Sequence, residues 1–245
     1  MLRLGVLHFA VNALLFWLGY YWLGIGESRT STLVWSAFVA VVAICLACSA
    51  YGATFAYFRS EEHRRTLAAW RTALRHLLPL VVVTAVVTIV YVLLARSVEY
   101  SSKPAAQVAS YLTLTFRKPV APSSVLRVFN GAAWVVQWVV LPVLVLPMIS
   151  AIATLGWRGF RAFGSGSRQW LYWIQAPVLL LCAFWIPLKL LRWVPQVSSF
   201  GKEVASFGAR AFVAYLLLAG AWLLLAFVTS RRRPRLTQSS TAVSP

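Results

Sequence analysis

Long apolar runs alternate with short polar connections along this chain, and the alternation predicts its architecture. Six of the runs are long enough to cross a lipid bilayer as a helix, which takes about 20 apolar residues. The predicted spans lie at about residues 4–25, 33–58, 77–95, 132–155, 170–191 and 211–228. The pattern therefore predicts an all-α, polytopic transmembrane bundle of six helices over residues 1–230, followed by a disordered basic tail over residues 231–245.

Small residues mark one face of the second predicted span. Ser36 and the alanines at 40, 43, 47 and 50 lie along this span at roughly helical spacing. Small side chains allow helices to approach each other closely in a membrane. We therefore predict that the second helix is central in the bundle.

A basic amphipathic stretch over residues 59–80 leads directly into the third span. As a helix, it separates an apolar side from a basic side. The apolar side comprises Leu67, Trp70, Leu74, Leu77 and Leu78, and the basic side comprises Arg64, Arg71 and Arg75. Such a helix lies in the membrane interface, where its arginines meet anionic headgroups. We therefore predict an interface helix before the third span, with these three arginines as headgroup-binding residues.

Composition and charge exclude two classes of protein. With 60% hydrophobic and 11% charged residues, the chain has too little polar surface for a soluble domain. Its 23 lysines and arginines, against 5 acidic residues, flank the apolar runs and form no single patch, which argues against nucleic-acid binding. With the N-terminus inside, the inner segments carry 13 basic residues and the longer outer segments carry 10, so the positive-inside rule predicts both termini inside.

The connection between the third and fourth spans, residues 96–131, is the longest in the chain. Its segment YLTLTF at 111–116 alternates apolar and polar residues as a strand does, although it could instead lie flat on the membrane. Two interpretations of residues 104–118 stay open. One is an interfacial or re-entrant segment, and the other is a loose external loop with one hydrophobic anchor.

The fourth and fifth spans each contain a glutamine and two prolines. These are Gln137, Pro142 and Pro147 in the fourth span, and Gln175, Pro177 and Pro187 in the fifth. A proline removes a backbone donor and bends a helix, so carbonyls near Trp138 and Val143 need another partner. The pattern predicts that both helices are kinked.

A polar pair, His8 and Asn12, lies on one face of the first predicted helix. Polar groups in a membrane are costly and often face a cavity, so the pair could be a protonatable site or a substrate contact. We favour the other interpretation, a structural hydrogen bond to a neighbouring helix. Together with Gln137 and Gln175, the pair is our candidate intramembrane polar site.

The sequence GSGS at 164–167 lies between Arg161 and Arg168, just before the fifth span. Glycine-rich turns at a helix start can hold a phosphate, with Ser167 as the helix cap. A flexible linker is the alternative. We predict that Arg161 and Arg168 bind lipid headgroups, and that a lipid phosphate is the ligand.

Candidate chemistry for catalysis is sparse. The chain contains no aspartate, and its five glutamates lie in predicted loops or at helix ends, which disfavours phosphoryl transfer and cation-coupled transport. Cys45 and Cys48 form a C-x-x-C motif without a second pair, so helix packing is a better explanation than metal binding. We predict no enzyme activity, no catalytic residues, no metal and no cofactor.

These observations favour a non-enzymatic integral membrane protein that acts as a scaffold or accessory subunit and contacts anionic lipid and partner membrane proteins. The alternative is a permease-type transport subunit whose fourth and fifth helices line the path. In helix number and length alone, the chain resembles a permease half of an ATP-driven exporter, which would imply an ATPase subunit as partner. Compact loops and the absence of a mitochondrial presequence favour a bacterial inner (cytoplasmic) membrane.

Overall fold

A computed structural model describes residues 2–26, 29–59, 66–195 and 199–230. Within these residues the secondary structure is entirely helical, and six helices are long and apolar enough to cross a membrane. They are Leu4–Leu23, Thr30–Arg59, Leu77–Glu99, Pro122–Ala162, Trp170–Arg192 and Phe200–Ser230. The all-α, six-span, multi-pass architecture is therefore confirmed. The location of the termini stays a prediction, and the tail over residues 231–245 lies outside the described residues.

We number the α-helices in chain order, and name the two π-helical segments separately. The α-helices are α1 (Leu2–Leu23), α2 (Thr30–Arg59), α3 (Thr66–Arg75), α4 (Leu77–Glu99), α5 (Ser102–Phe116), α6 (Pro122–Val135), α7 (Leu141–Leu155), α8 (Trp170–Leu180), α9 (Ile186–Arg192) and α10 (Phe200–Ser230). The π-helical segments are π1 (Val136–Val140) and π2 (Leu181–Trp185). The fourth span is therefore α6, π1 and α7, and the fifth is α8, π2 and α9.

The core lies where α2, α7 and α10 meet. Phe55, Ile152 and Leu225 are fully buried there. Most of the predicted small-residue face of α2 is only half-buried, whereas its tightest packing lies further along, between residues 48 and 56. A Cβ on Gly52 would come within 2.7 Å of a terminal methyl group of Leu80, so α4 packs closely on α2 at this glycine.

The predicted interface helix is α3, and it is shorter than the stretch over residues 59–80. It packs on α2 through the buried Ala69 and Ala73, while Leu67 and Leu74 are 78% and 46% exposed. A single turn residue, His76, separates α3 from α4. Exposed leucines suit a position against lipid, and the interface location stays a prediction.

Residues 104–118 are neither a strand nor a loose loop, because α5 covers most of them. The hydroxyl of Thr113 donates to the carbonyl of Ala109 within the helix, and it accepts a hydrogen bond from the Val120 amide that closes the following turn. Ala105, Ala109 and Val125 form a small core between α5 and α6. The strand interpretation was wrong because hydroxyl groups bonded within their own helix mimic the polar positions of a strand.

Each of the two spans that contain prolines has a π-helical segment next to a proline. Trp138 lies within π1 four positions before Pro142, and Ala183 lies within π2 four positions before Pro187. A proline has no amide to offer the carbonyl four positions earlier, and its ring crowds that carbonyl. Widening the helix to π geometry relieves the clash. The predicted distortion of both spans therefore takes this form.

The predicted inner loop between the fourth and fifth spans folds back along α7. The Gly164 amide donates to the carbonyl of Leu144, eleven positions before the end of α7. A Cβ on Gly159 would come within 2.3 Å of the Ile152 amide nitrogen, and one on Gly166 within 2.6 Å of the Val143 carbonyl. We call residues 156–168 the return segment. Its glycines allow backbone to lie directly against backbone.

Candidate intramembrane site

A buried hydrogen bond joins α1 to α2. The Nε2 atom of His8 lies 2.6 Å from the hydroxyl of Thr54, and that hydroxyl lies 3.1 Å from the Ala50 carbonyl. The hydroxyl has one proton, so it donates either to the carbonyl or to the imidazole, according to the tautomer of His8.

Asn12 lies one turn further along α1 and links three helices. Its side-chain oxygen accepts a hydrogen bond of 2.9 Å from the hydroxyl of Tyr51 on α2. Its amide nitrogen lies 3.5 Å from the hydroxyl of Tyr215 on α10, which is a long contact. The predicted polar pair is therefore engaged in hydrogen bonds that join α1 to its neighbours.

Next to this network is a cavity of about 290 Å³, which we call the polar cavity. Its lining residues are His8, Asn12, Tyr51, Phe184, Leu218, Ala219 and Trp222. The indole of Trp222 packs edge-on against Tyr51 and Phe55, with ring centroids 5.1 and 5.5 Å apart. Its buried Nε1 has no hydrogen-bonding partner within the described part of the chain. The cavity wall is therefore mostly apolar and aromatic, with His8, Asn12 and Tyr51 as its polar residues.

A second cavity, of about 340 Å³, lies between the third, fourth and fifth spans, and we call it the helix-four cavity. Its lining residues are Val87, Tyr91, Gln137, Trp138, Leu141, Pro142, Val145, Leu146, Ile149, Leu180 and Phe184. Both π-helical segments contribute to this wall. The amide of Gln137, in π1, makes no hydrogen bond to any described residue. It is the most polar group in an otherwise apolar and aromatic wall.

Phe184, in π2, lines both cavities and so forms part of the partition between them. Its ring lies 6.5 Å from that of Trp138, which in turn packs edge-on against Tyr91 at 5.8 Å. The two cavities are therefore neighbours separated by an aromatic residue.

A third space, of about 610 Å³, extends along α1, and we call it the α1 groove. Its lining residues are Asn12, Leu15, Phe16, Gly19, Tyr20, Trp22, Leu23, Tyr51 and Leu218. It shares Asn12, Tyr51 and Leu218 with the polar cavity, so the two spaces meet there. The groove follows α1 from this polar end to its aromatic C-terminal end.

The four residues predicted as an intramembrane polar site are separated in the structure. His8 and Asn12 line one cavity and Gln137 the neighbouring one, whereas Gln175 is half-buried in α8 and lines none of the three spaces. Sequence reasoning missed Tyr51 and Trp222. A tyrosine one turn before Phe55 in a small-residue stretch was a usable signal, but Trp222 lies in an unbroken apolar run.

The predicted headgroup-binding arginines are all on the surface where the structure describes them. Arg71, Arg75, Arg161 and Arg168 are exposed, and Arg64 lies outside the described residues. Their lipid contacts stay predictions. Ser167 does not cap the fifth span, because Gln169 holds the N-cap position of α8 and the Ser167 hydroxyl donates to the Gly164 carbonyl. The Gly164 amide is also occupied, so two groups of the proposed phosphate cradle are already used.

The arrangement is suited to binding. No charged side chain is among the described residues that line the three spaces. In the parts of the chain that the structure covers, no group of three or more His, Cys, Asp or Glu could hold a metal ion. What the walls offer is apolar surface with a few neutral donors and acceptors, which is typical of sites for small apolar ligands.

Comparison with known proteins adds no assignment. No family model matches the chain, and neither the curated proteins nor the solved structures give a significant match.

Proposed function

We propose that this integral membrane protein is a permease-type transport subunit of a bacterial inner membrane, with its path along the fourth and fifth helices. The observation that carries the proposal is the helix-four cavity, which lies between these helices and contains the unpaired amide of Gln137. Its volume of about 340 Å³ lies at the lower end of the usual range for ligand cavities. The substrate class is a small, largely apolar molecule with one hydrogen-bonding group.

The two π-helical segments support this proposal. Each contributes an aromatic residue to the cavity wall, Trp138 from π1 and Phe184 from π2. Such segments interrupt the regular hydrogen-bond ladder and are frequent at functional sites. No acidic side chain lines the cavity among the described residues, so cation coupling has no evident group there. The proposal therefore assigns energy input, if transport is active, to a separate ATPase subunit.

Cysteine accessibility tests the path. In a variant lacking Cys45, Cys48 and Cys182, we expect single cysteines at three lining positions to react with a small water-soluble maleimide in proteoliposomes. The three variants are Gln137→Cys, Leu141→Cys and Val145→Cys. A thiol reacts as the thiolate, which forms in a wetted path and not in lipid.

The matched control is Val135→Cys, because Val135 precedes the cavity in the same span and is exposed on the outer surface of the helix. We expect this cysteine to react at least tenfold more slowly than the three lining positions. Equal and slow reaction at all four positions would mean that the cavity never opens to water, and the transport proposal would be abandoned.

A second candidate function is a scaffold or accessory subunit that contacts anionic lipid and a partner membrane protein through α3. This proposal is favoured by the surface of α3, where Leu67, Leu74, Arg71 and Arg75 are all exposed. Apolar and basic side chains on one short helix suit the boundary between acyl chains and headgroups. The same surface could hold the helix against a partner at the membrane face.

The double substitution Arg71→Gln with Arg75→Gln tests the lipid contact. Each basic residue near an anionic surface contributes about 1 kcal/mol, so we expect the affinity of the nanodisc-reconstituted chain for phosphatidylglycerol to fall about fivefold per arginine. A titration with fluorescent phosphatidylglycerol measures this affinity. Lys118→Gln, at an exposed lysine after α5, is the control. An equal loss in the control variant would show that only total charge matters, and α3 would lose its assigned role.

A further inference from the structure

Helices α5 and α6 form an antiparallel pair, residues 102–135, which we call the α5–α6 hairpin. Its second helix continues through π1 into α7, and these three segments are 14, 5 and 15 residues long. At about 1.5 Å per residue they extend over about 50 Å, whereas the hydrocarbon core of a bilayer is about 30 Å thick. Even a tilt of about 40° leaves about 8 Å of this helix outside the core.

The part outside the hydrocarbon core is the N-terminal part of α6. Its exposed polar residues are Ser123, Ser124, Arg127 and Asn130, whereas α7 is almost entirely apolar and packs into the bundle. Because α5 packs along α6 through a small core of its own, α5 lies outside the hydrocarbon core as well. The α4 span separates α5 from α3, so the hairpin and α3 are at opposite membrane surfaces.

The turn of the hairpin is ordered by its own contacts. Arg117 ends α5 in a left-handed conformation, with a φ of 53°. The Val120 amide donates to the hydroxyl of Thr113 at 3.0 Å, which closes the turn before α6. The side chains near this turn are therefore presented on a defined scaffold, which lowers the entropic cost of binding.

The face of α5 that is turned away from α6 combines basic and apolar groups. Lys103, Gln107 and Tyr111 follow each other at a spacing of four, and Leu114 comes three positions later, so all four share one side of the helix. Tyr111 and Leu114 are 68% and 79% exposed. Among the described helices, α6 is the main neighbour of α5, and it packs on the alanine-containing side. The described part of the chain therefore leaves this face uncovered.

The α5–α6 hairpin carries basic residues and no acidic residue. All four basic residues are exposed, and they are Lys103, Arg117, Lys118 and Arg127. The carboxylate that precedes the hairpin, Glu99, is already paired with Arg96 at 3.0 Å. Such a surface is complementary to carboxylates, and like charges oppose the docking of a second copy. Leu114 lies close to the turn, at the end of the hairpin farthest from the acyl chains.

We propose that this face of α5 is a docking surface for an acidic, amphipathic segment of a partner protein. The carboxylates of the partner pair with Lys103 and Lys118 at the two ends of the face, and its apolar side chains cover Tyr111 and Leu114. Because the hairpin and α3 are at opposite membrane surfaces, this contact is separate from the proposed role of α3. It is also independent of a transport path along the helix-four cavity.

Binding of a defined peptide to the full chain tests the surface. The probe is a fluorescent helical peptide with glutamate and leucine on one face, added to the chain in phosphatidylcholine nanodiscs. By fluorescence anisotropy, we expect saturable binding that is at least tenfold tighter than for the same peptide with lysine in place of every glutamate. Lys103→Gln with Lys118→Gln should weaken binding about threefold per lysine, as for exposed ion pairs. Leu114→Ser should weaken it about fivefold, since apolar contact area is lost.

Two matched variants control for unspecific effects. Lys202→Gln and Val204→Ser change an exposed lysine and an exposed apolar residue in the first turns of α10, and both should bind the peptide as the unchanged chain does. Equal affinity for the acidic and the basic peptide would overturn the proposal. Equal losses in the control variants would do the same, because they would show that only total charge and apolar surface matter.

Two further measurements address the other possible occupants. In the variant lacking Cys45, Cys48 and Cys182, a fluorophore on Leu114→Cys should be quenched by nitroxide-labelled lipid less than one fifth as much as on Val90→Cys, an exposed position within the α4 span. Equal quenching would place the face in the bilayer and overturn the proposal. A dimer in nanodiscs that Leu114→Ser dissociates would also overturn it, by assigning the face to a second copy of the chain.

Discussion

At the scale of single residues, Thr54 is the polar residue that joins α2 to α1 through a buried hydrogen bond with His8. Its hydroxyl contacts His8 across the helix interface and the Ala50 carbonyl within its own helix. One hydroxyl therefore gives a buried histidine its hydrogen-bonding partner and holds the ring in place. Nothing in the residues around Thr54 distinguishes it from threonines that bond only within their own helix.

Thr54→Val tests this role, because valine has nearly the same shape and lacks the hydroxyl. The Nε2 atom of His8 would lose its partner, and a buried unsatisfied polar atom costs about 1–3 kcal/mol. We expect the free energy of unfolding to fall by that amount, measured by denaturation in mixed detergent micelles. Thr115→Val is the control, since Thr115 is exposed and its hydroxyl bonds only to Tyr111 of the same helix. If both variants lose equal stability, the contact with His8 contributes nothing.

At the scale of elements, the return segment and α7 behave as one packed unit. Gly164 is bonded to the first turn of α7, and Gly159 lies against the backbone near its end. A glycine-rich stretch between two spans suggests a linker or a phosphate cradle when only local sequence is considered. The structure instead uses glycine for close backbone contact, so these positions constrain packing.

Gly159→Ala should therefore be strongly destabilising. The new Cβ would lie 2.3 Å from the Ile152 amide nitrogen, a backbone atom within a helix that cannot move aside. Overpacking of this kind costs about 1–3 kcal/mol and occasionally more. Gly220→Ala is the matched control, because nothing lies within 4 Å of its Cβ and alanine in a helix is favoured by about 0.5–1 kcal/mol. Thermal unfolding of both variants measures the difference, and a stable Gly159→Ala protein would contradict the close packing.

At the scale of the whole molecule, the six-span architecture was predictable because a bilayer imposes a length and an apolar composition on every crossing helix. Distortion near Trp138 was also predictable, since proline removes a specific donor. Long-range packing was not. Trp222 lies in an unbroken apolar run, and its packing against Tyr51 and Phe55 depends on how α2 and α10 approach each other. The α5 helix was missed because a six-residue alternation cannot distinguish a strand from a helix whose threonines bond to their own backbone.

Phe184 lies in the walls of both the polar cavity and the helix-four cavity, so the filling of one cavity affects the other. One aromatic ring contributes to both walls, so a displacement that enlarges one space takes volume from the other. Two occupants that each push the ring outward would oppose each other, and thermodynamic linkage makes that opposition equal in both directions. The filling of the polar cavity and the filling of the helix-four cavity would therefore be negatively cooperative.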